Sequence, residues 1–241
     1  MRRPGTGVTS PRGFTLTELA VVLVIIALLI GGMMVPLSAQ QDMRNRQDTD
    51  KALANIRDAI LGFAVVNGYL PCPASPTVQT GTGGATCPGA AGCEARTGTS
   101  CTSISGGVSY GVMPWATLGL PETDSWGNRY TYAVTATFSD SGSKFSLSST
   151  SNIDVYSAAP PGGTPLASNG LPVIAISHGK NGFGAYTPQG TQQSTANAAS
   201  DETENFNGNA DFVSNTAIDD QLMWISPGVL MNRMVTAGKL P

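Results

Sequence analysis

The chain has 241 residues with 13 Lys or Arg and 16 Asp or Glu, which gives a formal net charge of −3. Binding to nucleic acid needs clustered Lys and Arg opposite the phosphates, so this balance argues against a nucleic-acid partner. Charged residues make up only 12% of the chain, about half the roughly 25% of an average soluble domain, and this composition favours a protein that works outside the cytoplasm.

The N-terminal forty residues change abruptly from polar to apolar. Arg2, Arg3 and Arg12 precede Phe14, and no charged residue occurs from Leu19 to Gln41. A helix needs about 20 apolar residues to cross the hydrocarbon core, so the sequence predicts one transmembrane span over about residues 16–37. Because the arginines precede the span, the N terminus is expected in the cytoplasm and the C-terminal domain in the periplasm.

One acidic residue, Glu18, stands at the start of this apolar run. A carboxylate at the middle of a bilayer costs on the order of 3 kcal/mol and normally has a partner. A cleaved signal peptide is the competing interpretation, but its apolar core is usually about 7 to 15 residues long. An ordinary signal anchor with an incidental acid is the other alternative.

The segment from Gly13 to Leu19, with the sequence GFTLTEL, resembles the processing site of type IV pilins and of the pseudopilins of type II secretion. The resemblance implies that a prepilin peptidase removes residues 1–13 as a leader by cutting after Gly13 and then methylates the new N terminus at Phe14. It also implies that the Glu18 carboxylate meets the cationic N terminus of a neighbouring subunit and sets the register of assembly.

The same resemblance implies a structural role in assembly and no enzymatic activity. The expected partners are copies of the chain and sister pilins in a filament, the prepilin peptidase, the assembly platform protein and its ATPase. The chain would first lie in the inner membrane as a single-pass protein and then in a filament in the periplasm or at the cell surface. Both pili and secretion pseudopili, and both major and minor subunits, fit the resemblance.

A long helix is predicted over residues 14–67, transmembrane at first and then amphipathic. Leu53, Ile56, Ile60 and Phe63 recur at intervals of three and four residues, which places them on one face of a helix. This face is expected to pack against the globular domain.

Residues 68–107 are rich in Gly, Thr and Ser and are predicted to form a loop region. Its four cysteines in an exported segment indicate two disulfides, for which three connectivities are open. Pairing of neighbours closes short loops and is the pairing we favour; it would join Cys72 to Cys87 and Cys93 to Cys101. A zinc site is the alternative, but the sequence has no Cys-x-x-Cys and a single His, His178.

Residues 108–241 are predicted to form the periplasmic β-sheet domain. Strands are expected where apolar residues alternate or cluster: over Tyr130 to Phe138, at Phe145 and Leu147, at Ile153 and Val155, over Val173 to Ser177 and over Leu222 to Ile225. Residues 187–216 read as an exposed loop, and residues 229–234 as a short final helix. The fold class is therefore α+β and pilin-like, with a long N-terminal helix packed on a small antiparallel sheet.

A Gly-x-Ser-x-Gly match centred on Ser109 introduces a hydrolase as a rival function. Asp154 and His178 follow in the order that a catalytic triad on this motif needs. However, a loop precedes Ser109 and Pro114 follows where the motif requires a helix. The motif therefore does not predict an enzyme.

A second motif, SHGKNG at residues 177–182, resembles the calcium loop of major pseudopilins. Calcium takes six to eight oxygen ligands, several of them carboxylates. Here Asn181 stands at the acidic position beside Lys180, while Asp219 and Asp220 are acids that could reach it. No cofactor is expected, and calcium at Asn181, Asp219 and Asp220 is the alternative.

A filament subunit is thus the predicted function. The alternative is a membrane-anchored periplasmic binding or adhesive module that does not polymerise.

Overall fold

The structure is a computed structural model that describes residues 13–82, 87, 89–102 and 104–240, without the side chains of residues 32–37 and 168–169. The predicted leader lies outside the described residues except for Gly13. By its internal contacts the chain divides into two compact units, Met1–Arg44 and Asn45–Pro241.

The described residues form helices and three sheets. The helices are α1 (Leu16–Asn67), α2 (Trp115–Leu118), α3 (Ala136–Ser139), α4 (Ser200–Glu204) and α5 (Pro227–Thr236). The strands are β1 (Arg96–Thr97), β2 (Ser100–Cys101), β3 (Ile104–Ser105), β4 (Val108–Val112), β5 (Thr131–Thr135), β6 (Ile153–Tyr156), β7 (Pro165–Leu171), β8 (Val173–Ser177), β9 (Asp211–Val213) and β10 (Gln221–Ile225). Strands β1 and β2 form a hairpin, and the larger sheets have the orders β10-β8-β5-β4-β3 and β7-β6-β9. The predicted α+β class with an antiparallel sheet is confirmed, although β6 and β9 pair in parallel.

In the first unit, α1 carries apolar side chains on its whole circumference. The large apolar residues from Leu19 to Ile30 are between 45% and 72% exposed. The sequence predicts a transmembrane span here; across the described part of the chain, no helix is both long and apolar enough to cross a membrane.

In the second unit, the rest of α1 is amphipathic, as its apolar spacing predicts. Leu53, Ile56 and Ile60 are at most 4% exposed and belong to one core cluster with the central sheet and α5. The helix ends at Asn67, where the amide of Gly68 donates to the Ala64 carbonyl at 2.7 Å. This half of α1 is therefore held by tertiary packing, which is the usual source of helix stability in proteins.

The five-stranded sheet is buried on both faces. On one face, Tyr132, Val134 and other residues of the sheet pack against α1 and α5. On the other face, Ile174 and Ile176 pack against Phe212 and the rest of the three-stranded sheet. Burial on both faces explains why β8 is a continuous apolar run and not an alternating one.

The structure corrects three of the predicted elements. The strand predicted over Tyr130 to Phe138 ends at Thr135, is buried on both faces and continues as α3. No strand forms at Phe145 and Leu147; the Phe145 ring packs instead on Phe138, with 5.1 Å between the centroids. The predicted loop over residues 187–216 contains α4 and β9.

The favoured disulfide pairing is also wrong. The structure joins Cys72 to Cys101 and Cys87 to Cys93, each with 5.4 Å between the Cα atoms. The cause is β pairing: Ala74 bridges Glu94, and the β1–β2 hairpin then returns Cys101 to the position beside Cys72. Long-range pairing and not loop length decides the connectivity. In the chain-entropy description, the bridge across 29 residues stabilises by about 4 kcal/mol, and the bridge across 6 by about 2 kcal/mol.

Arg129 is a fully buried cation whose side chain hydrogen-bonds to several loops. Its guanidinium lies 4.7 Å from the centroid of the Trp115 ring. It donates to one carboxylate and to three loop oxygens: Glu122 Oε1 at 2.8 Å, Pro76 O at 2.9 Å, Pro188 O at 3.0 Å and Thr80 Oγ1 at 3.1 Å. One substitution at Arg129 therefore removes several hydrogen bonds and the ion pair with Glu122 at once.

We expect Arg129→Met to lower the free energy of unfolding by about 3 kcal/mol, because the Pro76 carbonyl loses its hydrogen bond from Arg129 and the Glu122 carboxylate loses its ion pair. Urea unfolding of the purified full-length chain, followed by tryptophan fluorescence, measures the change. Arg57→Met is the matched control: Arg57 is exposed on α1, and its replacement should change the value by no more than about 0.5 kcal/mol. Equal effects of the two substitutions would contradict the prediction.

Candidate functional site

The predicted processing site lies on the surface of the first unit. Gly13, Phe14 and Thr15 precede α1 and belong to no helix or strand. The side chain of Phe14 is 87% exposed, and a Cβ atom added at Gly13 would have no neighbour within 4 Å. The peptide bond between Gly13 and Phe14 is therefore open to an approaching peptidase.

Glu18 and Thr15 form a capping box at the N terminus of α1. The amide and the Oγ1 of Thr15 both donate to Glu18 Oε2 at 2.9 Å, and the Glu18 amide donates back to Thr15 Oγ1 at 3.3 Å. The two residues thus satisfy backbone groups that have no partner in the first turn, and the negative charge is favourable at this end of the helix.

This capping role was missed in the sequence, although the Thr-x-x-Glu spacing is its signature. Both bonds to the Glu18 carboxylate use Oε2. Among the described residues Oε1 has no hydrogen-bond partner, so one oxygen stays available to a group outside the chain.

A second polar cluster forms at one end of the five-stranded sheet. Strands β8 and β10 are antiparallel neighbours, and Ser177 pairs with Gln221. The residues that follow β8 and those that precede β10 must therefore lie at the same end. This register brings the predicted calcium ligands Asn181, Asp219 and Asp220 together.

Three carboxylates converge in this cluster, and one of them was not predicted. One ligand oxygen each from Glu202, Asp219 and Asp220 lies within 4.8 Å of the others. Asn181 links two of the acids, because its amide donates to Asp219 Oδ2 at 2.9 Å and its Nδ2 donates to Glu202 Oε1 at 2.5 Å. Glu202 was missed because it belongs to α4, inside the segment interpreted as a loop.

Two features show that the two loops of this cluster pack closely against each other. Asp219 Oδ1 is buried and has no hydrogen-bond partner in the described part of the chain. Gly179 adopts a φ of +57°, and a Cβ atom there would overlap the Asp219 carbonyl oxygen. Only glycine allows the two loops to approach this closely.

The single histidine, His178, is fully buried beside the cluster. Its Nε2 lies 2.8 Å from Thr131 Oγ1, and its Nδ1 lies 3.7 Å from Asp220 Oδ2. Asp220 Oδ2 also accepts from Asn205 Nδ2 at 2.7 Å. The imidazole is therefore part of a buried polar network that connects β5 to the loop before β10.

Asp124 lies next to this network and bonds to Ser177 at the end of β8. Its Oδ2 accepts from Ser177 Oγ at 2.6 Å, and its Oδ1 accepts from the amides of Trp126 and Asn128 at 2.9 Å. Burial raises the pKa of Asp124 above its ordinary value, and these hydrogen bonds oppose the shift. The turn at residues 124–130 is thus fixed to the end of β8 by a carboxylate.

The Gly-x-Ser-x-Gly match does not form a nucleophile elbow. Ser109 lies inside β4, fully buried and opposite Val134. His178 contacts Thr131, which pairs with Val112 three residues further along β4. Asp154 lies in the other sheet, where its Oδ1 accepts from the Gly170 amide at 3.3 Å. The three residues of the hypothetical triad are therefore not assembled.

Comparisons with known proteins bear on the N-terminal segment. A sequence model described as the prokaryotic N-terminal methylation motif matches residues 9–34, a range that contains Gly13, Phe14 and Glu18. No curated protein and no solved structure gives a match. The proteins that share this motif are structural and pilin-like. Residues 9–34 thus carry the prokaryotic N-terminal methylation motif, the signature of type IV pilins and pseudopilins.

Proposed function

We propose that the chain is a subunit of a type IV pilus or of a type II secretion pseudopilus. A prepilin peptidase cuts after Gly13 and methylates Phe14. The subunit is held in the inner membrane by the first half of α1, with its second unit in the periplasm. A platform protein and an ATPase then assemble it with copies of itself or with sister pilins.

The observation that carries this proposal is the methylation motif together with the geometry of its Glu18. The motif covers Gly13, Phe14 and Glu18, and in this proposal the peptidase cuts the bond between Gly13 and Phe14. The carboxylate uses one oxygen for its own helix and leaves the other without a partner among the described residues. A cationic amine from a neighbouring subunit is a fitting second partner, because an ion pair in lipid is strongly preferred to two isolated charges.

The surroundings of Glu18 also fit a neighbouring chain terminus. Phe14, Thr17, Glu18, Val21 and Val22 line a shallow hollow of about 380 Å³. Its surface is apolar apart from Thr17 and the carboxylate. The processed N terminus of a neighbouring subunit carries a cationic amine with no polar group before it. This chemistry suits a hollow that is apolar except for one hydroxyl and one carboxylate.

Gly13→Leu should abolish processing, so that the chain keeps residues 1–13 and stays unmethylated. A Cβ atom at this position meets nothing within 4 Å, so the larger side chain interferes with the peptidase and not with folding. Mass spectrometry of the mature N terminus, with and without the peptidase, measures the outcome. Gly31→Leu is the matched control, since Gly31 is equally open. An uncut chain in the wild type, or cleavage at another bond, would contradict the proposal.

Glu18→Gln should reduce incorporation into filaments by at least about tenfold while membrane insertion and processing persist. Glutamine can accept the Thr15 bonds and keep the cap, but it removes an ion pair that we expect to be worth more than about 1.4 kcal/mol. The measurement compares the subunit in sheared filaments with the subunit in membranes.

Thr15→Val is the converse control for Glu18. It removes the hydroxyl from the capping box and keeps the charge of the acid, so we expect filaments to form. If Glu18→Gln assembled normally and Thr15→Val did not, Glu18 would be only a helix cap. An anchored module that does not polymerise would yield no filament fraction from the wild type.

We further propose that the cluster of Glu202, Asp219 and Asp220 binds calcium. The support is the convergence of three carboxylates and the buried, unpaired Asp219 Oδ1. Calcium is a hard cation that prefers such oxygens. The ion would hold the loop after β8 against the loop before β10.

Calcium should therefore raise the melting temperature of the wild-type chain and should have little effect on Asp219→Asn. At a calcium concentration 100 times Kd, binding stabilises the folded state by about 2.7 kcal/mol. Differential scanning calorimetry with calcium, magnesium or sodium at equal ionic strength measures the shift. Asp58→Asn, an exposed acid on α1, is the control and should keep the response. An equal shift with all three ions would contradict a specific site.

A further inference from the structure

The two disulfides differ in their exposure to solvent. Cys72 and Cys101 are 0% and 5% exposed, and both belong to the main core cluster. In the other bridge, Cys93 is 4% exposed, whereas Cys87 is exposed at the surface. A thiolate must reach a sulfur atom before it can open a disulfide. A thiolate should therefore reach the Cys87–Cys93 bridge more easily than the Cys72–Cys101 bridge.

A hollow in the surface leads to Cys87. It has a volume of about 490 Å³ and is lined by Cys87, Glu94, Arg96, Ala116 and Thr117. Arg96 Nε lies 3.0 Å from Glu94 Oε2, so the two charges in the lining compensate each other. An incoming thiolate therefore meets an exposed cysteine and a lining without net negative charge.

The segment around Cys93 is anchored without the disulfide. The Gly92 carbonyl accepts from the amide of Ala116 at 2.9 Å, and the Glu94 amide donates to Thr117 Oγ1 at 3.0 Å. Gly92 has a φ of +74°, and a Cβ atom there would overlap the Trp115 ring. These contacts fix the Cys93 side against α2, so that opening the bridge releases only the Cys87 side.

We propose that the Cys87–Cys93 disulfide is a thiol-exchange site that a dithiol reduces while the Cys72–Cys101 disulfide stays oxidised. A thiolate of the dithiol attacks Cys87 Sγ, forms a mixed disulfide and releases Cys93 as a thiolate. The second thiolate of the reagent then closes the reagent's own disulfide and releases Cys87. Two electrons pass to the chain, and solvent protonates the released thiolates. This property is independent of the proposed assembly function.

The order of reduction tests the proposal. The oxidised full-length chain is incubated with dithiothreitol, quenched with acid at successive times and labelled with N-ethylmaleimide, and the labelled peptides are identified by mass spectrometry. We expect Cys87 and Cys93 to be labelled at least about tenfold faster than Cys72 and Cys101, because attack requires access. The tryptophan fluorescence of the folded chain should persist at that stage.

Simultaneous labelling of both pairs, or labelling of Cys87 only after the fluorescence is lost, would overturn the proposal. Ala116→Trp tests the route of access, because the new ring would fill the hollow and slow labelling of Cys87 by about threefold or more. Ala196→Trp, in an exposed loop, is the control and should leave the rate unchanged. The order of labelling in the wild type decides the proposal even if the Ala116 variant does not fold.

Discussion

The second unit depends on burial of both faces of its five-stranded sheet. One face is covered by α1 and α5 and the other by the β7-β6-β9 sheet. With both faces apolar, the polar and chemically active groups can lie only at the ends and margins of the strands. The carboxylate cluster accordingly lies where β8 ends and β10 begins, and the exposed disulfide lies beside α2.

The sequence correctly predicts those helices and strands whose burial is apparent from their own residues. Val173 to Ser177 reads as a buried strand because every residue is apolar or small, and the stripe from Leu53 to Ile60 reads as a helix face because its period is helical. The strand from Tyr130 fails at its end, since the alternation continues into Ala136 although pairing with β4 stops at Thr135. The partner strand sets where this strand ends, and the periodicity of the strand's own residues does not indicate that position.

Long-range contacts also explain what was predicted of the candidate sites and what was missed. The segment from Gly13 to Glu18 is local, so its resemblance to a prepilin processing site depends on no long-range contact. The cysteine pairing depends on the bridge between Ala74 and Glu94, and Glu202 reaches the acids across a polar segment without periodicity. Both follow from contacts between distant parts of the chain, which composition does not specify.

The two oxygens of Glu18 explain why a carboxylate suits this position. A helix cap is worth about 1 kcal/mol, whereas an unpaired carboxylate costs on the order of 3 kcal/mol at the middle of a bilayer and less near its surface. The capping box with Thr15 is therefore too weak by itself to offset the charge in the proposed membrane setting. Glutamine would provide the cap at a lower desolvation cost, so the charge of Glu18 argues for a cationic partner outside the helix. That partner would bind at Oε1, which has no hydrogen-bond partner among the residues that the structure describes.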